Sequence, residues 1–270
     1  MRRFKVDLKD GEVTGIAYGD PVRDIEVMFL HATGFNALTY QSILEPLAGQ
    51  IHCAAIDLRG HGRSTLPAQP KKLKSWNRFR DDVIQVLQQT SPEGVVLGGH
   101  SMGATVALLV AAKRPDLVKG LVLVDPVLLK PGKYFTQHIP VLGRIGGESP
   151  LSRGARKRRN SFSSSGEAAE YLFGRGAFKT WRPPFLDDYV VDGVLRRDDG
   201  TYGLACDPAW EAAVFKAHRI RPWGAIRKLK KRFLPLVVLQ AKKDSTALPD
   251  TDQRVHAVRH QLHGVHVEAR

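Results

Sequence analysis

The stretch Gly99-His100-Ser101-Met102-Gly103 decides the fold of this protein. It follows the apolar run Val95-Val96-Leu97 and precedes a helical pattern over residues 104–113. A strand that turns sharply into a helix holds the serine in a strained conformation, and glycines on both sides avoid the Cβ clashes of such a turn. The Ser101 hydroxyl then stands clear of the backbone, and the Met102 N–H at the helix start points toward a developing oxyanion. The motif therefore predicts a serine nucleophile at Ser101.

The chain around this motif alternates between short apolar runs and helical patterns. Apolar, β-branched runs of this length are typical of strands buried on both faces. The alternation therefore predicts an α/β fold with a mostly parallel central sheet and helices on both faces. Functional residues of such sheets gather at the carboxyl ends of the strands. The predicted strands cover residues 25–30, 53–56, 95–97, 121–124 and 236–239, and the predicted helices cover 40–48, 76–89, 104–113 and 251–262.

The alternation breaks between residues 127 and 225, where prolines, a basic run at 153–159 and a serine-rich run at 161–165 interrupt it. Helical patterns remain at 166–173, with Ser165 as the N-cap, and at 208–216, after Asp207. The segment 198–202 has the composition of a hairpin turn. We therefore predict an inserted, mainly helical cap over residues 127–225, and a core domain formed by residues 1–126 and 226–270.

Two further loops follow predicted strands. The loop His31-Ala32-Thr33-Gly34-Phe35 consists mainly of small residues, and we expect its Thr33 N–H to be the second oxyanion donor. The strand at 53–56 leads into Asp57-Leu58-Arg59-Gly60-His61-Gly62-Arg63-Ser64. With these loops and residues 99–103 in this order and spacing, the whole chain resembles an α/β-hydrolase. The serine at 101 argues against the dehalogenase and epoxide hydrolase branches, which attack with a carboxylate.

The resemblance also implies an acid that orients a catalytic histidine. In the family this acid follows the strand after the cap, which places it at Asp244, the last residue of the run Leu236 to Asp244. Asp125, at the end of the strand 121–124, occupies another position that this fold sometimes uses. We favour Asp244, because Asp125-Pro126 is also an ordinary turn that ends a strand.

The histidine of the family lies beyond the last strand. That strand is predicted at the very end of this sequence, so the base would fall after Arg270. We expect either a truncated copy of a longer product, which we favour, or a catalytically impaired relative. His266 is the candidate substitute base. The other histidines near the motifs or on the last helix are expected to be structural: His31, His61, His100, His256, His260 and His263.

The composition limits the class of protein and its partners. The chain has 270 residues, a net charge of +14 and two cysteines, Cys53 and Cys206, too few for a disulfide framework. The scarcity of cysteine favours a reduced, cytoplasmic setting. No secretory signal or membrane-spanning segment is recognised, so we expect a soluble protein. The basic runs 153–159 and 227–232 have no interleaved aromatic residues, so a solvated face is favoured over nucleic-acid binding. No metal-site spacing or nucleotide-binding loop is present in the sequence.

The predicted cap is rich in aromatic residues, which favours an apolar acyl or alkyl pocket. We therefore predict a cofactor-independent serine hydrolase that cleaves an ester or similar acyl bond of a small, mainly apolar substrate. The alternative is a catalytically impaired binding protein with the same fold. Those aromatic residues are Tyr134, Phe135, Phe162, Tyr171, Phe173, Phe178, Trp181, Phe185, Tyr189, Trp210 and Phe215.

Overall fold

A computed structural model describes residues 1–129, 149–217, 219–229, 234–241 and 245–247. The predicted helix 251–262, the predicted last strand, Asp244 and His266 lie outside these ranges. Within them, no helix is both long enough and apolar enough to cross a lipid bilayer.

A seven-stranded sheet forms the centre of the protein, with the strand order β1-β2-β4-β3-β5-β6-β9. The strands β3, β4, β5, β6 and β9 pair in parallel, and β2 pairs antiparallel with both β1 and β4. This confirms the predicted, mostly parallel sheet. The strands are β1 (Arg2–Leu8), β2 (Gly11–Tyr18), β3 (Val27–Leu30), β4 (Cys53–Ile56), β5 (Val95–His100), β6 (Val118–Val124) and β9 (Leu236–Leu239).

The antiparallel hairpin β1–β2 is not among the predicted strands, because neither of its strands is a continuous apolar run. β1 is mostly exposed and alternates polar with apolar residues, as a strand at the edge of a sheet does. The two-residue turn is Lys9-Asp10, and the Asp-Gly pair at residues 10 and 11 is the sequence signal that could have identified the hairpin.

Three helices flank the sheet before the predicted cap: α1 (Gln41–Leu44), α2 (Asn77–Thr90) and α3 (Met102–Lys113). The predicted helix 40–48 is broken into α1 and two single 3₁₀ turns, at Leu38–Tyr40 and Glu45–Leu47. Pro46 lies where the helix would continue, and its missing N–H explains the break. By contrast, α3 is apolar on every side and buried from Met102 to Ala111, which places its start firmly under the carboxyl end of β5.

Between β6 and β9 lie the helices α4 (Pro150–Arg156), α5 (Ser165–Leu172), α6 (Phe185–Gly193), α7 (Pro208–Lys216) and α8 (Pro222–Leu229), with the short strands β7 (Val194–Arg196) and β8 (Tyr202–Leu204). The hairpin β7–β8 confirms the predicted turn at 198–202. Asp207 caps α7 as predicted, whereas Ser164, not Ser165, caps α5. The division into core and cap stays a prediction, and α8 spans its proposed boundary at residue 225.

Helix α6 is bound to the core by buried polar contacts. The Asp192 carboxylate, only 1% exposed, pairs with Arg3 of β1 at 2.6 Å and with Arg63 at 2.5 Å. One turn earlier, the Ser42 hydroxyl donates to Asp188 at 2.5 Å. These contacts hold one wall of the region above the sheet.

Candidate active site

Ser101 occupies the tight turn between β5 and α3, as the sequence predicts. Its φ is 52° and its ψ is −113°, in a region that side chains other than glycine rarely adopt. The Ser101 N–H donates to the Val124 carbonyl at 2.9 Å. A Cβ at Gly103 would lie 2.1 Å from the Leu30 carbonyl oxygen, and one at Gly99 would lie 2.5 Å from the backbone of Gly103. Only glycines therefore allow the turn to pack this closely on β3.

A cavity of about 580 Å³ opens above this turn and contains Ser101 in its lining. We call it the Ser101 cavity. Thr33, His100 and Asp125, all at carboxyl ends of parallel strands, line it on the sheet side. Residues of α4, α5, α7 and their loops line the opposite side. The structure thus brings together the predicted nucleophile and one of the two predicted oxyanion residues at the end of the sheet where α/β sites form.

Of the two predicted oxyanion residues, Met102 follows Ser101 in the chain and Thr33 lines the same cavity. Met102 is the first residue of α3, so its N–H is one of the four at a helix start that have no carbonyl partner within the helix. Thr33 lies in the loop after β3 and is 9% exposed. The N-terminal end of α3 also carries a partial positive charge, which favours an anion at the same place.

Asp125 joins the end of β6 to the chain after β9. Its carboxylate accepts hydrogen bonds from the Ala241 N–H at 3.2 Å, the Ser245 hydroxyl, the Thr246 N–H at 2.8 Å and the Thr246 hydroxyl at 2.9 Å. A carboxylate offers about four lone-pair sites, so these donors occupy its capacity. The Asp125 backbone also donates to Leu239 at 2.7 Å, with a φ of 45°. This arrangement is that of a structural clamp.

Two of the buried histidines, His31 and His61, form hydrogen bonds within the loops that carry them. The His31 Nδ1–H donates to the Ala32 carbonyl at 2.8 Å, and its Nε2 accepts from the Leu58 N–H at 2.9 Å. The His61 Nδ1–H donates to the Arg59 carbonyl at 2.9 Å. Burial lowers the pKa of His31 well below its usual value and that of His61 to about 4. Both imidazoles are therefore neutral and serve the packing of these loops.

His100 and His52 complete the histidines in the described ranges. His100 shares a hydrogen bond of 2.9 Å between its Nδ1 and the Tyr40 hydroxyl. Burial lowers the pKa of His100, and the Asp125 carboxylate partly opposes this effect. His52 Nδ1 donates to the Arg23 carbonyl at 2.6 Å, outside the cavity. Within these ranges, no histidine forms a hydrogen bond with Ser101.

The loop from Asp57 to Ser64 is a buried network rather than a surface toward the cavity. Asp57 accepts hydrogen bonds from the Ala37 N–H at 2.7 Å, the Arg63 N–H at 2.9 Å and the Thr14 hydroxyl at 2.9 Å. Burial raises the pKa of Asp57 to about 6, although these donors oppose the shift.

Arg59, in the same loop, is 4% exposed and forms two parallel hydrogen bonds of 2.8 Å with Asp82 of α2. Its carbonyl accepts from the indole of Trp210 at 3.0 Å. This loop therefore fastens β4 to β2, α2 and α7.

Three arginines line the Ser101 cavity from the side opposite the sheet: Arg158, Arg159 and Arg175. Arg158 pairs with Glu211 at 2.7 Å, and Arg159 pairs with Glu167 at 2.5 Å. The sequence predicts that Arg158 and Arg159 belong to a solvated basic run, and no sequence pattern singles out Arg175. The contacts depend on how α4, α5 and α7 assemble, so no local pattern could identify them. Within the ranges that the structure describes, no group of three or more metal-ligating side chains occurs.

The fold and this site define an α/β-hydrolase. The model of the alpha/beta hydrolase family matches residues 27–269, and the chain belongs to this family. It is 30% identical over 99 residues to 2-(acetamidomethylene)succinate hydrolase of Mesorhizobium japonicum, a match that covers 37% of this chain and 34% of that protein. It is 31% identical over 101 residues to (E)-2-((N-methylformamido)methylene)succinate hydrolase of Acinetobacter baylyi, covering 37% of each. The chain thus matches about a third of the length of these relatives.

Solved structures confirm the fold over nearly the whole chain. The crystal structure of E-2-(acetamidomethylene)succinate hydrolase superposes with a TM-score of 0.79 at 19% identity, covering 99% of this chain and 91% of that one. The thioesterase domain from the curacin biosynthetic pathway gives a TM-score of 0.76 at 21% identity, covering 100% and 93%. The predicted α/β-hydrolase fold is confirmed, and the named neighbours are hydrolases and a thioesterase.

Proposed function

We propose that this protein is a cofactor-independent serine hydrolase that cleaves an ester or similar acyl bond of a small substrate. The observation that carries the proposal is Ser101, held at a φ of 52° in the turn before α3 and lining a cavity of about 580 Å³. A turn of this strain is retained only where the surrounding structure enforces it, and such residues cluster at active sites.

In the proposed mechanism, the Ser101 Oγ attacks the substrate carbonyl carbon while a histidine takes its proton. The N–H groups of Met102 and Thr33 bind the oxyanion of the tetrahedral intermediate. The histidine then gives the proton to the leaving group, and the acyl group stays on Ser101. A water molecule, activated by the same histidine, attacks the acyl-enzyme, releases the acid and restores the serine.

We propose Asp244 as the acid that orients the histidine, and a histidine outside the described ranges as the base. The support is the Asp125 clamp, because its donors Ala241, Ser245 and Thr246 belong to both flanks of residues 242–244. Ser245, the next residue after Asp244 in the sequence, donates its hydroxyl to a carboxylate in the lining of the Ser101 cavity. In this proposal Asp125 is a positioning residue, and Asp244 is the acid of the catalytic triad.

The apolar character of the proposed substrate is supported by a second cavity of about 450 Å³. We call it the apolar side cavity. It is lined by Phe29, Tyr40, Trp181 and Phe185 among others, and it shares Phe35 and His100 with the Ser101 cavity. An alkyl or aryl group of the substrate fits there by the hydrophobic effect. The prediction of a cytoplasmic location rests on the two buried, free cysteines Cys53 and Cys206.

The proposal is tested by treating the full chain with a fluorescent fluorophosphonate and by measuring hydrolysis of 4-nitrophenyl esters. We expect labelling at Ser101 and ester hydrolysis that falls by about 10⁴-fold or more in Ser101→Ala. Ser161→Ala, at an exposed serine outside the cavity lining, should label and hydrolyse like the wild type. An unlabelled wild-type protein that hydrolyses none of the esters would overturn the proposal and favour a binding protein.

A further inference from the structure

Arg175 is a guanidinium at the Ser101 cavity whose hydrogen-bonding capacity is unused within the described residues. It lines the cavity together with Ser101. Its guanidinium carbon lies 4.4 Å from the centre of the Tyr171 ring, a stacking contact that holds the side chain through its face and consumes none of its N–H groups. No described acidic residue forms an ion pair with it.

The other two arginines of the cavity, Arg158 and Arg159, use their N–H groups in hydrogen bonds within the protein. Arg158 donates to Glu211 at 2.7 Å and to the Tyr189 hydroxyl at 3.5 Å. Arg159 donates to the Ser161 carbonyl at 2.9 Å and to Glu167 at 2.5 Å. Their charges are neutralised by carboxylates of the protein, so they add little attraction for an anion. Arg175 is the cation of this lining whose charge remains for a ligand.

The backbone on both sides of Arg175 forms a tight, hydrogen-bonded loop. Gly174 and Gly176 have φ values of 70° and 53°, so the loop after α5 turns twice within three residues. The Arg175 N–H donates to Leu172 at 3.1 Å, and its carbonyl accepts from Phe178 at 2.9 Å. Phe178 is 4% exposed and lines the same cavity. The loop is therefore anchored on both sides of the arginine.

We propose that Arg175 binds a carboxylate of the substrate, so that the preferred substrates are anionic acyl compounds that carry a carboxylate apart from the scissile bond. This inference rests on the proposed function and adds to it the charge of the substrate. A guanidinium binds a planar carboxylate through two parallel N–H bonds, and one unpaired cation matches one such group. The apolar side cavity accommodates the remaining hydrocarbon, so the ligand has one charged and one apolar part.

The experiment compares two esters of the same size: mono(4-nitrophenyl) glutarate and its terminal primary amide, which replaces the free carboxylate with a neutral group. kcat/KM is measured for the full-length wild type, Arg175→Gln and Arg175→Lys. Arg2→Gln removes the same charge from the edge strand β1 and is the matched control. A second arm measures the Kd of both intact esters for Ser101→Ala, with and without Arg175→Gln, by calorimetry.

We expect Arg175→Gln to lower kcat/KM for the glutarate ester about tenfold and to leave the amide within about twofold, because hydrogen bonds between charged groups have effects of this size. Arg175→Lys should recover part of the loss, and Arg2→Gln should change neither ester. The Kd of the glutarate ester should rise by a similar factor in the Ser101→Ala background. Equal effects of Arg175→Gln on both esters, or no effect, would overturn the inference.

The two arms separate this inference from the proposed function. Hydrolysis of both esters without any dependence on Arg175 contradicts the inference and leaves the serine hydrolase proposal intact. Absence of hydrolysis together with Arg175-dependent binding of the anionic ester contradicts the proposed function and supports the carboxylate site. Absence of binding and of hydrolysis overturns both.

Discussion

Asp57 and Asp125 each follow a parallel strand, and each accepts hydrogen bonds from distant segments. The surroundings of the two carboxylates differ. The Asp57 carboxylate is closed off among Thr14, Ala37 and Arg63. The Asp125 carboxylate lines the Ser101 cavity while it holds the chain after β9. Similar hydrogen bonding therefore stabilises a buried loop at Asp57. At Asp125, under the proposed function, it supports the catalytic residues.

Whether a polar motif at a strand end serves structure or function depends on what its side chains face. The loop 57–64 is as polar as the turn at Ser101, but the side chains of Asp57, Arg59 and His61 are at most 4% exposed and bond to the core. Three predictions test whether the Asp57 region serves stability while the Asp125 region serves activity.

The largest effect is expected from Asp82→Ala, which removes the buried carboxylate that pairs with Arg59. Both side chains are at most 5% exposed, and the variant leaves the buried guanidinium with only the Asp10 carboxylate, 40% exposed and 3.7 Å away. We expect a loss of about 3 to 5 kcal/mol in the free energy of unfolding, measured by urea denaturation. The folded fraction should still label at Ser101 with the wild-type rate.

Asp81→Ala is the matched control for this change, because Asp81 is 43% exposed and pairs only at the surface with Arg80 and Lys113. It should cost about 1 kcal/mol or less. A slower labelling rate in folded Asp82→Ala would break the comparison, since the loop would then influence the serine as well.

The next effect is a pH dependence that arises from Asp57. Burial raises its folded-state pKa to about 6 from an ordinary value of 3.8. Between these values the folded protein binds more protons than the unfolded chain, so stability from this group is complete below about pH 4 and falls as the pH rises through 6. The whole change is on the order of 3 kcal/mol.

Asp57→Asn should remove this slope, so the difference in unfolding free energy between the two proteins should shift in favour of the variant as the pH rises from 4 to 7. Urea denaturation at each pH measures it, and the contributions of other groups cancel in the difference. A difference that moves the opposite way would mean that the N–H donors outweigh burial and keep Asp57 ionised.

The smallest effect comes from a matched pair of threonines. The Thr14 hydroxyl donates to the Asp57 carboxylate at 2.9 Å, and the Thr246 hydroxyl lies within hydrogen-bond distance of the Asp125 carboxylate, at 2.9 Å, and of the Asp125 carbonyl, at 2.7 Å. Each Thr→Val change should cost about 1 kcal/mol of unfolding free energy. Only Thr246→Val should also slow fluorophosphonate labelling, because Thr246 belongs to the segment beside the proposed acid. Equal labelling rates in the two variants would mean that the Asp125 region affects activity no more than the Asp57 region does.

The sequence predicted the parallel strands and the turn at Ser101 well, because both depend on local patterns. Continuous apolar runs mark β3, β4, β5, β6 and β9, and glycine spacing marks the turn. The edge hairpin β1–β2 escaped because its pattern is alternating and weakly apolar. The broken helix around Pro46 shows that a single missing N–H outweighs the surrounding helical pattern.

The chemistry of the cavity was harder to predict, because it depends on contacts between segments far apart in the chain. Arg158 belongs to a basic run that resembles a solvated face, yet it is paired with Glu211, 53 residues later. The saturated carboxylate of Asp125 likewise depends on donors more than 100 residues away, of which Thr246 is separated by 121. The roles of Thr33, Met102 and Asp244 stay predictions.

The ion pairs of the buried Asp192 carboxylate hold α6 against the core. Swinging α6 away from the sheet would separate Asp192 from both Arg3 and Arg63 and open the contact between Ser42 and Asp188. Opening this region would break both ion pairs of Asp192 together with the Ser42 contact, so we expect α6 to stay packed against the core in most molecules. Among the described residues, α4 and the Arg175 loop line the Ser101 cavity and α6 does not, so we expect a ligand to enter along α4 and that loop and to meet the Arg175 guanidinium on its way.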